Sequence, residues 1–222
     1  MLLCFGTTTL FDKYQQRETN VDEHVLIEEA KKGDLTAFNR IVLTYQDMVF
    51  SQAYRILGTK EAAEDVTQDA FISAYRKIKS FRGGSFRAWM LRIVTNACYD
   101  EIRKRKRRPT TALEPTDAYD EEIESPAWLT DPDGTPEEKI EQLELSKAID
   151  YCLQRLSVEF RSVVVLIDVQ GMDYSEAASV VKVPVGTIKS RLARARRGMR
   201  HCLQHFRELL PSAFRLNDEA PS

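Results

Sequence analysis

The chain has 222 residues, of which 43% are hydrophobic and 30% are charged, and its formal net charge is -2. This composition excludes a disordered chain, and the length fits one large domain or two small ones. An overall acidic balance argues against a nucleic-acid-binding protein, because such proteins usually carry a basic excess.

The average charge hides a segregation along the chain. Lys and Arg dominate residues 76–108, Asp and Glu dominate residues 114–150, and residues 182–207 contain no acid. Two basic segments separated by an acidic one predict two phosphate-facing modules joined by an acidic connector.

Cysteine spacing and hydropathy bear on the cellular compartment. The four cysteines lie far apart without a C-x-x-C pair, so we expect reduced thiols rather than a zinc site or a disulfide framework. No secretion signal and no stretch near the ~20 apolar residues of a membrane span is present. These features predict a soluble cytoplasmic protein with no direct membrane insertion and no cofactor or metal.

Residues 22–108 read as a run of helices that follows an N-terminal extension, residues 1–21. Asp34 is placed to cap a helix that begins at Leu35, and Gly58 is placed to end it. A second helix is predicted over residues 60–80, then a glycine-containing loop over residues 81–85.

The helix over residues 60–80 has two different faces. Apolar side chains from Ala63 to Ile78 share one side and predict a buried face. The opposite side carries Asp65, Gln68, Asp69 and Ile72. An exposed acidic face centred on an isoleucine fits a protein contact; the alternative, which the patch by itself favours, is a plain solvated face with one stray apolar residue.

A third helix is predicted from Phe86 to the end of the basic run near Pro109. Arg92, Asn96, Tyr99 and Arg103 form one stripe on it, at spacings of four, three and four. Basic groups interleaved with an amide and an aromatic ring suit opened or single-stranded DNA, because they neutralise phosphates and hold an unstacked base. The alternative is a solvated basic helix end.

Residues 109–136 contain scattered prolines and no sustained period, which predicts a flexible acidic linker. Helical pattern resumes over residues 137–208, with breaks at Ser157, at Gly171 and at Pro184, before a tail over residues 209–222. The predicted fold is therefore all-α, with two small helical domains.

The second domain contains a helix-turn-helix pattern. Asp173 and Glu176 resemble a capping box, a break follows at Val183 and Pro184, and a second helix begins. Ile188, Leu192, Ala195 and Met199 form its apolar stripe, which leaves the basic side chains for other faces. Such a helix can lie in the major groove of DNA, with early residues at base edges and later arginines at phosphates.

Three segments together resemble one family in the right order. Residues 65–71 (DVTQDAF) resemble the polymerase-binding signature of sigma region 2, and residues 86–96 (FRAWMLRIVTN) resemble its promoter-melting helix. Residues 183–191 (VPVGTIKSR) resemble the recognition helix of sigma region 4. Because a linker replaces any folded region 3, the chain resembles sigma factors of the extracytoplasmic-function (ECF) type, within the sigma-70 family.

The resemblance implies a transcription initiation factor, not an enzyme, that binds core RNA polymerase and promoter DNA. It also implies control by an anti-sigma factor. The residues that match the family's functional positions form three sets. The polymerase-binding set is Asp65, Gln68, Asp69 and Ile72; the minus-10 set is Phe81, Arg82, Ser85, Arg92, Asn96, Tyr99, Asp100 and Arg103; the minus-35 set is Thr187, Lys189, Ser190, Arg191, Arg194, Arg196 and Arg197.

Two other functions compete with this interpretation. A helix-turn-helix regulator that binds duplex DNA without polymerase would share residues 173–200 but would not account for residues 61–108. An enzyme or metal protein would have to use His201 and His205 with Cys202 between them, yet no general base or third ligand lies nearby in the sequence. Cys98, next to the melting helix's polar stripe, is either a redox sensor or a small core residue.

Overall fold

A computed structural model describes residues 22–107 and 136–210 of the chain. Every regular element in these two ranges is helical, which confirms the all-α prediction. The N-terminal extension, most of the predicted linker and the C-terminal tail lie outside the described residues. None of the helices in the described ranges combines the length and the apolar character needed to cross a lipid bilayer.

The N-terminal domain, residues 22–107, contains four helices. They are α1 (Asp22–Lys32), α2 (Leu35–Leu57), α3 (Lys60–Lys77) and α4 (Phe86–Arg107). A short 3-10 turn, Ile78–Ser80, leads from α3 into the glycine-containing loop.

Both predicted ends of α2 are present. The Asp34 carboxylate accepts hydrogen bonds from the backbone N–H groups of Thr36 and Ala37, at 2.7 and 3.2 Å, and so satisfies donors that a helix start leaves unpaired. Gly58 adopts a left-handed φ of 84° at the other end, a conformation that glycine reaches without steric cost.

The core of the N-terminal domain lies between α2, α3 and α4. The predicted apolar face of α3, including Val66 and Phe71, is buried, and Met90 and Val94 of α4 belong to the same hydrophobic cluster. An aromatic cluster closes the loop end of the core, where the Phe81 ring lies 5.3 Å from that of Phe86 and 5.5 Å from that of Trp89, centroid to centroid.

The C-terminal domain, residues 136–210, is built from shorter helices. They are α5 (Pro136–Gln154), α6 (Val158–Val164) with a π-helical turn over Val165–Val169, α7 (Tyr174–Val181) and α8 (Val185–Leu203). A 3-10 turn, Gln204–Leu209, follows α8. Three consecutive valines at residues 163–165, a residue type common in strands, lie in these helical segments, and all three side chains are buried.

The helix-turn-helix has the geometry that its sequence predicts. Asp173 and Glu176 form a complete capping box at the start of α7. Lys182 takes a left-handed φ of 57° and ends α7, so that α8 begins only three residues later. The predicted stripe of Ile188, Leu192, Ala195 and Met199 is buried.

The prediction of reduced thiols throughout the chain was wrong for two cysteines. Cys152 on α5 and Cys202 near the end of α8 form a disulfide that closes a separation of 50 residues. The sequence spacing gave no sign of it, because the pair meets only when α5 packs across α8. Within the described residues Cys98 is a free, buried thiol.

The two domains pack against each other, an arrangement that the tethered-domain prediction did not include. The end of α2 contacts α5 and α6, and α4 contacts α7. Bonds across this boundary include Arg87 Nη2 to Gln170 Oε1, at 3.0 Å.

Candidate polymerase and DNA interfaces

The acidic face of α3 lies open to solvent. Asp65, Gln68 and Asp69 are exposed, and Ile72 keeps 49% of its surface accessible. The opposite face of the same helix is buried in the domain core, so the backbone that carries these four side chains is fixed by packing. Their placement suits a protein contact with an apolar centre and a polar rim. Their role in polymerase binding stays a prediction.

Two of the residues predicted to contact DNA from the glycine-containing loop are exposed, and a third is buried. Arg82 and Ser85 are exposed, whereas the Phe81 ring is 8% exposed within the aromatic cluster. Ser85 Oγ also accepts the backbone N–H of Ala88 at 3.1 Å and so helps to cap α4. In this position the Phe81 ring packs against the core side of the loop. The ring would have to move out of the cluster to contact a DNA base.

The polar stripe of α4 is partly engaged with the C-terminal domain. Arg92 Nη2 donates to Ser179 Oγ on α7 at 2.7 Å. Tyr99 lies beside Ser162 of α6, and burial raises the pKa of its hydroxyl, while Ser162 acts in the opposite direction. Asn96, on the same stripe, is half-buried.

The basic end of α4 carries its own acids. Asp100 accepts from Arg103 at 2.5 Å, and Glu101 pairs with Lys104 and Arg105. The hydrogen bond from Arg105 is the main reason that the pKa of Glu101 lies below its ordinary value. These exposed i,i+3 and i,i+4 pairs hold the side chains loosely, so phosphates can replace the carboxylates at little cost.

The predicted minus-35 residues lie on the side of α8 away from the core. Lys189, Ser190, Arg194 and Arg197 are exposed, and Thr187 and Arg191 are half-buried. Exposed guanidinium and ammonium groups without acids on the same helix form a surface suited to the phosphates and base edges of a major groove.

Arg196 differs from the other cations of α8. Its Nε and Nη2 atoms bind Asp168 at 3.0 and 2.5 Å in a two-pronged ion pair, and the Asp168 side chain is 14% exposed. This geometry ties α8 to the π-helical turn. The ion pair engages the Nε/Nη2 edge of the guanidinium. A contact between Arg196 and DNA stays a prediction.

Arg161 is a structural residue that sequence reasoning missed. An arginine inside a short helix is normally expected on the surface, yet this side chain is 8% exposed. Its guanidinium donates to the backbone oxygens of Ile56, Leu153, Gln154 and Leu156. No local sequence signal predicts these partners, because Ile56 is 105 residues away along the chain.

The remaining candidate side chains have simple structural surroundings. Cys98 is fully buried, and burial raises the pKa of its thiol to about 12, which disfavours the reactive thiolate. His201 and His205 are exposed, and the cysteine between them is held in the disulfide. Among the described residues no group of three potential ligands is placed to hold a metal ion.

Family models match both domains. The model described as Sigma-70 region 2 matches residues 41–108, and that described as Sigma-70, region 4 matches residues 146–199. The ECF RNA polymerase sigma factor SigW of Bacillus subtilis is 36% identical over 80% of this chain and 95% of its own length. This chain is a member of the ECF sigma factor family. The ECF RNA polymerase sigma-E factor of Escherichia coli K12 is 35% identical over 82% of this chain and 94% of its own.

Two solved sigma factor structures resemble the whole described fold. RpoE in complex with the anti-sigma factor NepR, from Bartonella quintana, gives a TM-score of 0.58 at 27% identity and covers 77% of this chain and 98% of its own. CnrH in complex with the cytosolic domain of CnrY gives 0.57 at 26% identity and covers 83% of this chain and 98% of its own. The similarity therefore spans both domains, and the predicted family is confirmed.

Proposed function

We propose that this ECF sigma factor binds core RNA polymerase, directs it to promoters through their minus-10 and minus-35 elements, and aids DNA melting. One observation carries the assignment: an exposed acidic face on α3 and an exposed, acid-free basic face on α8 occur in one chain. A regulator that binds duplex DNA alone needs only the second. The chemistry of RNA synthesis stays with the polymerase. Because the protein works with this enzyme, we expect it in the cytoplasm.

The residue roles follow from the positions of the side chains. Asp65, Gln68, Asp69 and Ile72 contact the polymerase. The loop from Phe81 to Ser85 and the α4 stripe hold the opened minus-10 strand, where basic and aromatic groups meet phosphates and bases. Lys189, Arg194 and their neighbours on α8 read the minus-35 duplex. An anti-sigma factor controls access to these surfaces, in keeping with the partners of the two similar solved structures.

Transcription from a promoter library with purified core polymerase tests this function. The full chain is expected to confer start-site selection on core enzyme that otherwise initiates without sequence preference. Failure to select any promoter would overturn the proposal.

The acidic face is tested by the double variant Asp65→Ala/Gln68→Ala. Loss of two exposed contacts should abolish pull-down of core polymerase and leave the circular dichroism spectrum unchanged. Gln46→Ala/Asp47→Ala on α2 is the matched control, since it removes the same two residue types from another exposed surface. Undiminished binding by the α3 variant would contradict the assignment of this face.

A further inference from the structure

One flank of α8 carries two cations that face the segment of residues 168–174. Arg196 binds Asp168 through Nε and Nη2. Lys189 Nζ lies 5.8 Å from the centroid of the Tyr174 ring. Residues that are seven apart differ by only about 20° around a helix, so both cations lie on the same flank. The segment therefore faces α8 at two levels, about 10 Å apart along the helix axis.

This segment is itself fixed by backbone hydrogen bonds. At its π-helical turn, Gln170 N donates to Val165 O at 2.9 Å. Met172 N donates to Leu166 O at 3.0 Å, and both of these side chains are buried. Turns of the π type are rare and occur often at functional sites. Because bonds and packing fix the segment, the carboxylate of Asp168 approaches α8 from a fixed support.

Arg196 lies at the border of the buried stripe of α8, not at the centre of its exposed face. Around the helix it is about 40° from Leu192 and about 60° from Met199, which are both buried. The exposed residues Ser190 and Arg197 are about 120° and about 100° away from it. The centre of the predicted DNA surface is thus more than a quarter-turn from the position where Arg196 meets Asp168.

The two cations of this flank are held by contacts of different strength. Lys189 is exposed and faces a neutral ring, a weak contact from which an ammonium group can move to a phosphate or a base edge. Arg196 instead forms two directional hydrogen bonds with a carboxylate that is 14% exposed. Such a pair is costly to break, because each partner would keep an unbalanced charge with little access to water. Lys189 is therefore available to DNA, whereas Arg196 stays paired.

We propose that Asp168 is a positioning residue for minus-35 recognition. By holding Arg196, it fixes the rotation of α8 about its own axis and keeps this one cation off the DNA. Discrimination between sequences then depends on exposed side chains of α8, among them Lys189 and Arg194, which the fixed rotation directs into the groove. Within the minus-35 set, Arg196 thus acts on the orientation of α8 and not on DNA. The consequence for promoters rests on the proposed function, whereas the pairing of Arg196 is a property of the chain itself.

The first experiment counts phosphate contacts made by the free, full-length chain. Fluorescence anisotropy follows its binding to a labelled DNA duplex of random sequence at several salt concentrations. Each phosphate contact adds about 0.9 to the steepness of log affinity against log salt concentration. Arg196→Gln should leave the steepness unchanged, because the native guanidinium is paired with Asp168. Asp168→Asn releases this guanidinium and should add about 0.9, and Asp168→Asn/Arg196→Gln should return the steepness to the native value.

Glu144→Gln is the matched control, because it removes the same charge from an exposed position on α5. It should leave the steepness at the native value. A steepness lower by about 0.9 for Arg196→Gln alone would overturn the proposal, since Asp168 would then be steadying a direct DNA contact. This variant decides the question even if circular dichroism shows that Asp168→Asn does not fold. An unchanged steepness for folded Asp168→Asn would equally contradict the proposal.

The second experiment measures selectivity with polymerase holoenzyme. Its affinities for a promoter duplex obtained from the transcription library and for the scrambled duplex are compared at fixed salt. Asp168→Asn and Arg196→Gln should each lower the ratio of the two affinities about tenfold, as expected when one base-reading contact is misplaced. Asp168→Asn should also bind the scrambled duplex more tightly, whereas a loss of folding would weaken both affinities. Equal ratios for the native chain and both variants would overturn the positioning role.

The positioning role and the proposed function fail in different ways. If holoenzyme with the native chain selects no promoter, the proposed function fails, while the salt dependence of the free chain still decides whether Asp168 keeps Arg196 off DNA. If the native chain selects promoters and both variants do so equally well, the proposed function stands and the positioning role of Asp168 fails.

Discussion

The two basic helices, α4 and α8, differ in whether their basic side chains are paired with acids of the same helix. Within the described residues, the last two turns of α4 pair Arg103, Lys104 and Arg105 with acids of the same helix, and its Arg92 bonds to the other domain. α8 contains no acid, and four of its predicted DNA contacts face solvent. The basic face of α8 is therefore exposed, whereas the polar stripe of α4 is partly covered by the C-terminal domain.

The domains also differ in what stabilises them. The N-terminal domain has long helices around an aromatic-rich core. The C-terminal domain has short helices, a disulfide and a buried arginine. Small cores commonly need such additional links. Four perturbations sharpen this comparison.

Reduction of the disulfide should have the largest effect. A loop of 50 residues corresponds to about 4 kcal/mol of chain entropy in the unfolded state. Addition of a phosphine reductant should therefore lower the thermal midpoint of the C-terminal domain but not that of the N-terminal domain, followed by circular dichroism. Cys152→Ser/Cys202→Ser should melt at the reduced midpoint with or without reductant. Identical melting of the native chain in both conditions would contradict a stabilising disulfide.

The substitution Arg161→Met should have the second largest effect on stability. It leaves several buried carbonyls without a donor, and the expected loss is about 3 kcal/mol in the free energy of unfolding. Urea denaturation measures this loss. Arg155→Met removes an exposed arginine six residues earlier and should cost less than about 0.5 kcal/mol. Similar losses for the two variants would mean that the guanidinium bonds of Arg161 contribute little.

Lys189→Ala with Arg194→Ala tests the open surface of α8. Each base-reading contact should be worth about 1 to 3 kcal/mol of promoter-specific affinity. Binding of polymerase holoenzyme to duplex promoter DNA is measured against scrambled duplex, at fixed salt because phosphate contacts respond strongly to ionic strength. Unchanged selectivity would remove these two residues from the minus-35 set.

The helix caps give the smallest expected effect and a direct comparison of the domains. Asp173→Ala removes the capping box of α7, and Asp34→Ala removes the cap of α2. Each should cost about 1 kcal/mol. Because α7 is only 8 residues long and α2 has 23, hydrogen exchange should rise across all of α7 but only in the first turn of α2. Equal spreading in both helices would contradict this length dependence.

Local signals made much of the fold predictable. Asp34, Gly58 and the Asp173–Glu176 pair act on neighbours within four residues, so the sequence is enough to identify them. The buried stripe of α8 follows from helical period alone. The candidate sites were found in the same way, as helix faces of one chemical character, and the family resemblance supplied their roles.

Partnerships between distant residues were not predictable. Cys152 and Cys202, Asp168 and Arg196, and Arg161 and Ile56 lie 50, 28 and 105 residues apart. None of these three pairs follows from a periodic sequence pattern. The family resemblance concerned functional positions and did not include these contacts. Phe81 shows the same limit, since its place in the loop indicated exposure and the aromatic cluster buries it.

For this protein, the amino-acid sequence alone determined the helices, their ends, the buried and charged faces and the family, because these depend on short-range spacing. Only the tertiary structure decided which cysteines pair, which arginine is buried and that the domains close on each other. Those outcomes depend on how helix ends meet in space, and a helix end carries the same unpaired carbonyls whatever its sequence.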